Sequence, residues 1–149
     1  MAFNLSTQGR TLAGDSIIDD PNSDNGAPVV RCSTIEMTSA TGAGGALSWQ
    51  NPTGARILIH SLIIAITTAS GSTTTIDCGV ASGATTSSDD LIDGKSTATA
   101  GVIHSFHHYG TNGAASRACA ADYYVTGSIT GTIGSFAGKA YINWSPATV

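Results

Sequence analysis

Arg56-Ile-Leu-Ile-His-Ser-Leu-Ile-Ile-Ala-Ile-Thr-Thr68 decides the fold class. The run is long enough to suit a helix. Its composition argues otherwise. Isoleucine carries two heavy atoms on Cβ, which stiffens the side chain against a helical turn and suits a pleated surface. The closing Thr67-Thr68 pair points the same way. Read with a period of two, Leu58, Leu62, Ile64 and Ile66 share a face with His60, and Ile57, Ile59, Ile63 and Ala65 share the other. A strand apolar on both faces is a central one, covered by a second sheet or by a neighbouring subunit.

Outward from this run the same preference continues. Glu36 is the only glutamate, Lys95 and Lys139 are the only lysines, and leucine is sparse. Those are the residues that build helices at low cost. Strands are expected over 29–38, 46–49, 75–80, 102–106, 123–129 and 136–144. Ile76, Cys78 and Val80 alternate with Thr75, Asp77 and Gly79. Val102, His104 and Phe106 share a face, as do Tyr123, Val125 and Ile129. In the last segment Phe136, Ala140, Ile142 and Trp144 oppose Ala137, Lys139 and Tyr141. Asn51-Pro-Thr-Gly54 reads as a turn, with proline presetting φ and glycine free to take a positive φ. Loops are expected at 41–45, 82–94, with one helical turn at Asp89-Asp-Leu-Ile92, and 107–117. Seven or eight short strands with turns about every ten residues predict an all-β fold, an antiparallel β-sandwich of jelly-roll-like or related type.

Residues 1–28 differ. They carry four aspartates, two prolines and the scattered apolar residues Phe3, Leu5, Leu12, Ile17 and Ile18, with no clear period. They read as an extended N-terminal arm ahead of a single β-sandwich domain at 29–149. Such an arm is either a loose terminus or one that orders on a neighbouring subunit. On the second reading Phe3, Leu5, Ile17 and Ile18 are interface candidates.

The formal net charge is -4, and only 11% of residues are charged, against about 25% in an average soluble domain. The surface must therefore be built from Ser, Thr, Asn and Gly, as in proteins that sit against other proteins. The six basic residues are scattered. Without a basic stripe to neutralise phosphates, binding to nucleic acid and to anionic membranes is not expected. No apolar run approaches the roughly 20 residues of a membrane helix. Residues 1–10 lack the basic and apolar regions of a secretory signal, so synthesis in the host cytoplasm is expected. Three cysteines, Cys32, Cys78 and Cys119, make no disulfide framework. Cys32 and Cys78 fall in strands and are expected to be buried.

Several constellations bear on chemistry. His104, His107 and His108 lie close in sequence and are weak metal-ligand candidates, with Asp89, Asp90, Asp93 or Asp122 as possible partners. No HExxH or CxxC accompanies them. Asp20, Asn22 and Asp24 have the alternate spacing of a calcium loop, but Arg31 stands where the bidentate glutamate belongs, so a turn is expected. No nucleophile elbow surrounds any serine. Cys119 has histidines nearby in sequence, but nothing marks its thiol as activated. Gly42, Gly44 and Gly45 lead into no helix, as a phosphate loop should. Trp49, Trp144, Tyr109, Tyr123, Tyr124 and Tyr141 are candidates for a sugar platform, or more simply for core and interface. Adjacent Tyr123 and Tyr124 must point to opposite faces. Tyr109 and Tyr124 are further interface candidates. No cofactor and no catalytic residue is expected.

Trp49-Gln-Asn-Pro-Thr-Gly54, the isoleucine-rich strand and Thr75-Ile-Asp-Cys-Gly-Val80 together resemble a set of small tailed-bacteriophage virion proteins. So do Thr86-Ser-Ser-Asp-Asp-Leu-Ile-Asp-Gly94, Gly110-Thr-Asn-Gly113, Tyr124-Val-Thr-Gly-Ser128 and Gly138-Lys-Ala-Tyr-Ile142. The resemblance covers about residues 46 to 145 and matches head decoration, or cement, proteins. It implies a homotrimer on the exterior of a capsid, in contact with the major capsid protein, stabilising capsomer contacts. It brings no catalytic residues. Two other functions stay open: a trimeric head- or tail-fibre knob that binds a host receptor or glycan, and a small metal-dependent hydrolase built on the histidines.

Overall fold

The structure is a computed structural model that describes residues 29–71, 73–107, 110–131 and 134–147. Residues 1–28, and with them the arm and its candidates Phe3, Leu5, Ile17 and Ile18, lie outside the described residues. Among the described residues there is no helix. Nine strands form in chain order: β1 Arg31–Met37, β2 Leu47–Gln50, β3 Ile57–Thr68, β4 Thr75–Ala81, β5 Ile92–Ser96, β6 Gly101–His104, β7 Arg117–Cys119, β8 Tyr124–Thr130 and β9 Ala137–Pro146. The all-β expectation holds.

The strands make two antiparallel sheets. One is five-stranded, ordered β1-β9-β3-β6, with short β7 sharing the far edge of β3 beside β6. The other is four-stranded, ordered β2-β8-β4-β5. The pairing is nested. The first strand pairs with the last, β2 with β8, β3 with β6, and β4 with β5. One apolar cluster draws on both sheets, with Ile57, Ile59, Leu62, Ile64 and Ile142 from one and Leu47, Ile76, Cys78, Val125 and Ile129 from the other. Fully burying one such aliphatic side chain is worth about 1.5–3 kcal/mol, so this cluster is the main source of stability.

The deciding strand corrects its own reading. Ile59 pairs with Trp144 and Ser61 with Asn143, so His60 is an extra residue in a β-bulge. A one-residue insertion switches the side-chain parity of everything beyond it. Ile57 and Ile59 before the bulge, and Leu62, Ile64 and Ile66 after it, therefore all face the shared core and are buried. The outer side carries Leu58, Ser61, Ile63 and Ala65. Of these, Leu58, Ile63 and Ala65 are only half-buried. The strand is central, but it is not sealed on both faces.

Other corrections are local. No helical turn forms at 89–92; Leu91 and Ile92 are fully buried and lead into β5 instead. β7 occupies the end of the expected 107–117 loop and places Cys119 in the core opposite Ile57. Cys32 is exposed, not buried. It shares the outer side of β1 with Thr34 and Glu36, whereas Ser33, Ile35 and Met37 face inward. The Asn51 turn forms as expected: Asn51 Oδ1 accepts from Thr53 N (3.0 Å) and Oγ1 (2.9 Å), and Nδ2 donates to the carbonyls of Ala55 and Ala120, both at 2.8 Å.

Candidate functional site

The outer sides of the two sheets are unlike. Over the four-stranded sheet the chain folds its own 82–91 segment back as a cover. Thr126 Oγ1 donates to the Thr86 carbonyl at 2.8 Å, Asp90 Oδ1 accepts from Val80 N at 2.8 Å, and Gly44 N donates to Ser128 Oγ at 3.2 Å. Thr126 and Ser128, hydroxyls on the outside of a sheet, are buried in consequence. Gly79 allows the close approach: a Cβ there would lie 2.3 Å from Ser88 Oγ and 2.4 Å from Asp90 Oδ1.

The outer side of the five-stranded sheet is partly open among the described residues: Thr34, Glu36, Lys139 and Val102 are exposed, whereas Ile63, Ala65 and Tyr141 are half-buried. Register aligns Thr34, Tyr141, Ile63 and His104 in one row across β1, β9, β3 and β6. The next row is Glu36, Lys139, Ala65 and Val102. Val102 is 61% exposed, and Phe106, stacked on His104 at 5.0 Å between ring centroids, is 49% exposed. The two charges in these rows cancel, because Lys139 Nζ lies 2.7 Å from Glu36 Oε1. That hydrogen bond and the carboxylate charge raise the Lys139 ammonium above its ordinary range, so it stays charged. The two rows thus set apolar Ile63, Ala65 and Val102 beside a mutually neutralised pair.

The bulge end of this face is polar. His60 Nε2 meets Ser145 Oγ at 2.8 Å, and Asn143 Nδ2 donates to Ser61 Oγ at 2.9 Å. Ser145 is only 1% exposed, which denies a substrate access to its oxygen. The pair is a clasp between β3 and β9 and does not resemble an activated nucleophile.

The candidates read from sequence come together only in part. His104 and His107 are neighbours, with ring centroids 5.9 Å apart. His104 Nδ1 accepts the Phe106 backbone N–H at 3.0 Å, so that nitrogen is engaged with the chain itself. His108 and Tyr109 lie outside the described residues. Among the described residues no group of three or more His, Cys, Asp or Glu side chains is close enough to hold a metal ion. The aspartates instead organise loops. Asp93 Oδ2 accepts from Thr111 N (3.0 Å) and Asn112 N (2.9 Å), Asp89 Oδ2 accepts from Asn112 Nδ2 at 2.9 Å, and Asp77 Oδ1 accepts from Gly94 N at 2.7 Å. They line a recess of about 290 Å³ with Ser87 and Ser88. Asp90 pairs with Arg117 at 3.3 Å.

Cys119 is fully shielded; burial first, and Asp90 second, push its thiol up to about 11. Burial, with Asp77 second, raises Cys78 further. Neither sulfur is a thiolate at neutral pH. Among the described residues the aromatics form no common platform. Trp49 and Trp144 pack on each other inside, at 6.1 Å, and Trp144 Nε1 donates to Ser33 Oγ at 3.0 Å. Tyr123 is exposed, whereas Tyr124 stands half-buried on the outer side of β8 opposite Ala81 and Gln50. The sides taken by Ile57, Leu58 and Ile59 were not readable from the sequence, because a bulge is invisible to alternation.

The chain matches no family model, and no curated protein or solved structure is significantly similar to it.

Proposed function

We propose that the chain is a structural virion protein, a capsid decoration or cement protein that binds the outer face of a phage head as a trimer and stabilises capsomer contacts. One observation carries the reading: the domain covers part of one sheet with its own loop and leaves the other with an outer side that mixes Ile63, Ala65 and exposed Val102 with a mutually neutralised Glu36–Lys139 pair. A face of that composition gains by being covered in lattice contacts. The nested pairing supports a finer fold assignment. With short β7 set aside, the orders β1-β9-β3-β6 and β2-β8-β4-β5 follow an eight-stranded jelly roll, an architecture shared by viral capsid and lectin domains. Architecture alone does not choose a function; the partly open outer side of the five-stranded sheet inclines the choice to assembly. Residues 1–28 enter this reading through their sequence alone, as a source of contacts to a neighbouring subunit.

Heads assembled without this protein are the test. Purified chain is expected to co-sediment with them at saturable stoichiometry and to raise their melting temperature. Failure to bind bare heads removes the proposal. Retention on host cells or on a glycan array, without head binding, assigns the chain to the fibre-knob class instead.

A further inference from the structure

We infer that Asn112-Gly113 is a site of spontaneous deamidation, and that the change undocks the loop it belongs to from the segment that covers the four-stranded sheet. The inference is independent of the assembly reading above.

Gly110-Thr-Asn-Gly113 has no part in the proposed function, yet its surroundings are specific. Thr111 N and Asn112 N both donate to Asp93 Oδ2, at 3.0 and 2.9 Å, and Asn112 Nδ2 donates to Asp89 Oδ2 at 2.9 Å. Gly110 takes a φ of +77° and lies so close to Asp93 that a Cβ there would stand 2.2 Å from the Asp93 carbonyl oxygen. Asn112 thus fastens the loop to two aspartates. Asp77, Asp89 and Asp93 line one recess.

An asparagine amide is lost when the backbone nitrogen of the next residue attacks its Cγ. The attack needs a small following residue, a backbone N–H held by no other group, and water. Asn112 meets each need. Gly113 has no Cβ to obstruct ring closure. Its N–H donates to no group among the described residues. Asn112 itself is exposed in a turn. The other described asparagines do not qualify. Asn51 precedes proline, whose nitrogen has no proton to give up, and Asn143 sits within β9 ahead of Trp144. Asp93-Gly94 has the sequence to close the same ring by losing water, but Gly94 N is held by Asp77 Oδ1 at 2.7 Å.

In the step itself, solvent base takes the Gly113 amide proton and the nitrogen bonds to Asn112 Cγ. The Cγ–Nδ2 bond breaks, the proton returns through solvent to the departing nitrogen, and ammonia leaves. Water then opens the cyclic imide at either carbonyl, to give aspartate or isoaspartate. Water is the only co-reactant. Either product replaces the donor that faced Asp89 with a carboxylate, and like charges at hydrogen-bond distance repel. Isoaspartate also routes the main chain through the former side chain and lengthens the loop. The loop then loses its hold on Asp89, a residue of the 82–91 cover.

The experiment ages the full chain at neutral and at mildly alkaline pH and digests it with trypsin. Cleavage after Lys95 and Arg117 releases residues 96–117, in which Asn112 is the only asparagine. That peptide is expected to gain a single mass unit, faster in alkali, and to yield a form methylated by an isoaspartyl methyltransferase. The peptide 57–95, which holds Asp93-Gly94, is expected to stay free of isoaspartate. Gly113 does not take a positive φ, so Gly113→Ala is accommodated. It should age roughly tenfold more slowly, because a Cβ crowds the nitrogen. In Asn112→Asp, hydrogen exchange at the Thr111 and Asp93-bound 112 amides is expected to rise at least about tenfold, with the fold checked by circular dichroism; aged wild type should show the same rise. An unmodified 96–117 peptide, equal ageing in Gly113→Ala, or isoaspartate appearing as fast in 57–95 overturns the site. Unchanged exchange in both Asn112→Asp and aged wild type overturns the undocking.

Discussion

Asn51 shows how much one turn residue can hold. It is buried, and its amide is saturated by Thr53, Ala55 and Ala120, so it ties the β2–β3 turn to the segment before β8. Asn51→Ala leaves two part-buried carbonyls and the Thr53 amide with lost partners. It is expected to destabilise the fold by about 2–3 kcal/mol in denaturant titration. The turn was legible because Asn-Pro-x-Gly has local chemistry. The reach to Ala120 was not, because it depends on a partner 69 residues away. Cys119 and Cys78 lead to a pH prediction. Unfolded thiols ionise near about pH 8.5, whereas burial keeps Cys119 protonated up to about 11 and Cys78 beyond that. The folded state therefore holds more protons in this window, and stability falls as pH rises above the unfolded value. Each thiol contributes a slope of up to about 1.4 kcal/mol per pH unit. Urea melts between pH 8 and pH 10.5 should show a steeper loss for wild type than for Cys78→Ala/Cys119→Ala, and parallel behaviour below pH 8. Cys32 was misjudged from sequence because membership of a strand says nothing about which side of it meets the core.

At the scale of the element, the bulge in β3 governs the molecule. Deleting His60 would return Ile57 and Ile59 to the parity of the outer side while Leu62, Ile64 and Ile66 stay inward. Exposing two such side chains costs roughly 3–6 kcal/mol, comparable with the whole stability of an ordinary domain, about 5–15 kcal/mol. The deletion is expected to abolish the cooperative thermal transition. His60→Ala keeps the residue count, loses only the clasp to Ser145, and should unfold cooperatively within about 1–2 kcal/mol of wild type. Cooperative unfolding of the deletion would show that register is set elsewhere. The loop over the four-stranded sheet offers a second test. In Gly79→Ala the new methyl meets Ser88 and Asp90 N at 2.7 Å, so the 82–91 cover must shift. Limited proteolysis within that segment is expected to accelerate, with the apolar cluster retained. Most strand positions were legible, since isoleucine density and alternation are local signals. β7 and the run into β5 were not. Each is short, and each is ordered by its partner, β3 and β4 respectively, rather than by its own composition.

For the whole molecule, two antiparallel sheets were readable in outline from strand number and turn spacing, whereas their connection order was not, because pairing is decided by contacts far apart in sequence. The same is true of the outer side of the five-stranded sheet, which exists only once β1, β9, β3 and β6 stand side by side. Head binding is a property of the assembled molecule and is tested on whole heads. The strand order has one more consequence. β9 is the last of the described strands to be synthesised, yet it stands between β1 and β3 and pairs with both. A ribosome releasing the chain from its N-terminus therefore holds β1 and β3 without the strand that joins them until residue 146 has emerged. Contacts between such distant parts of a chain close slowly and leave hydrophobic segments waiting. Nascent chains stalled before β9 should be protease-sensitive along β3 and should recruit chaperones, and protection should arrive in a single late step as β9 clears the exit tunnel.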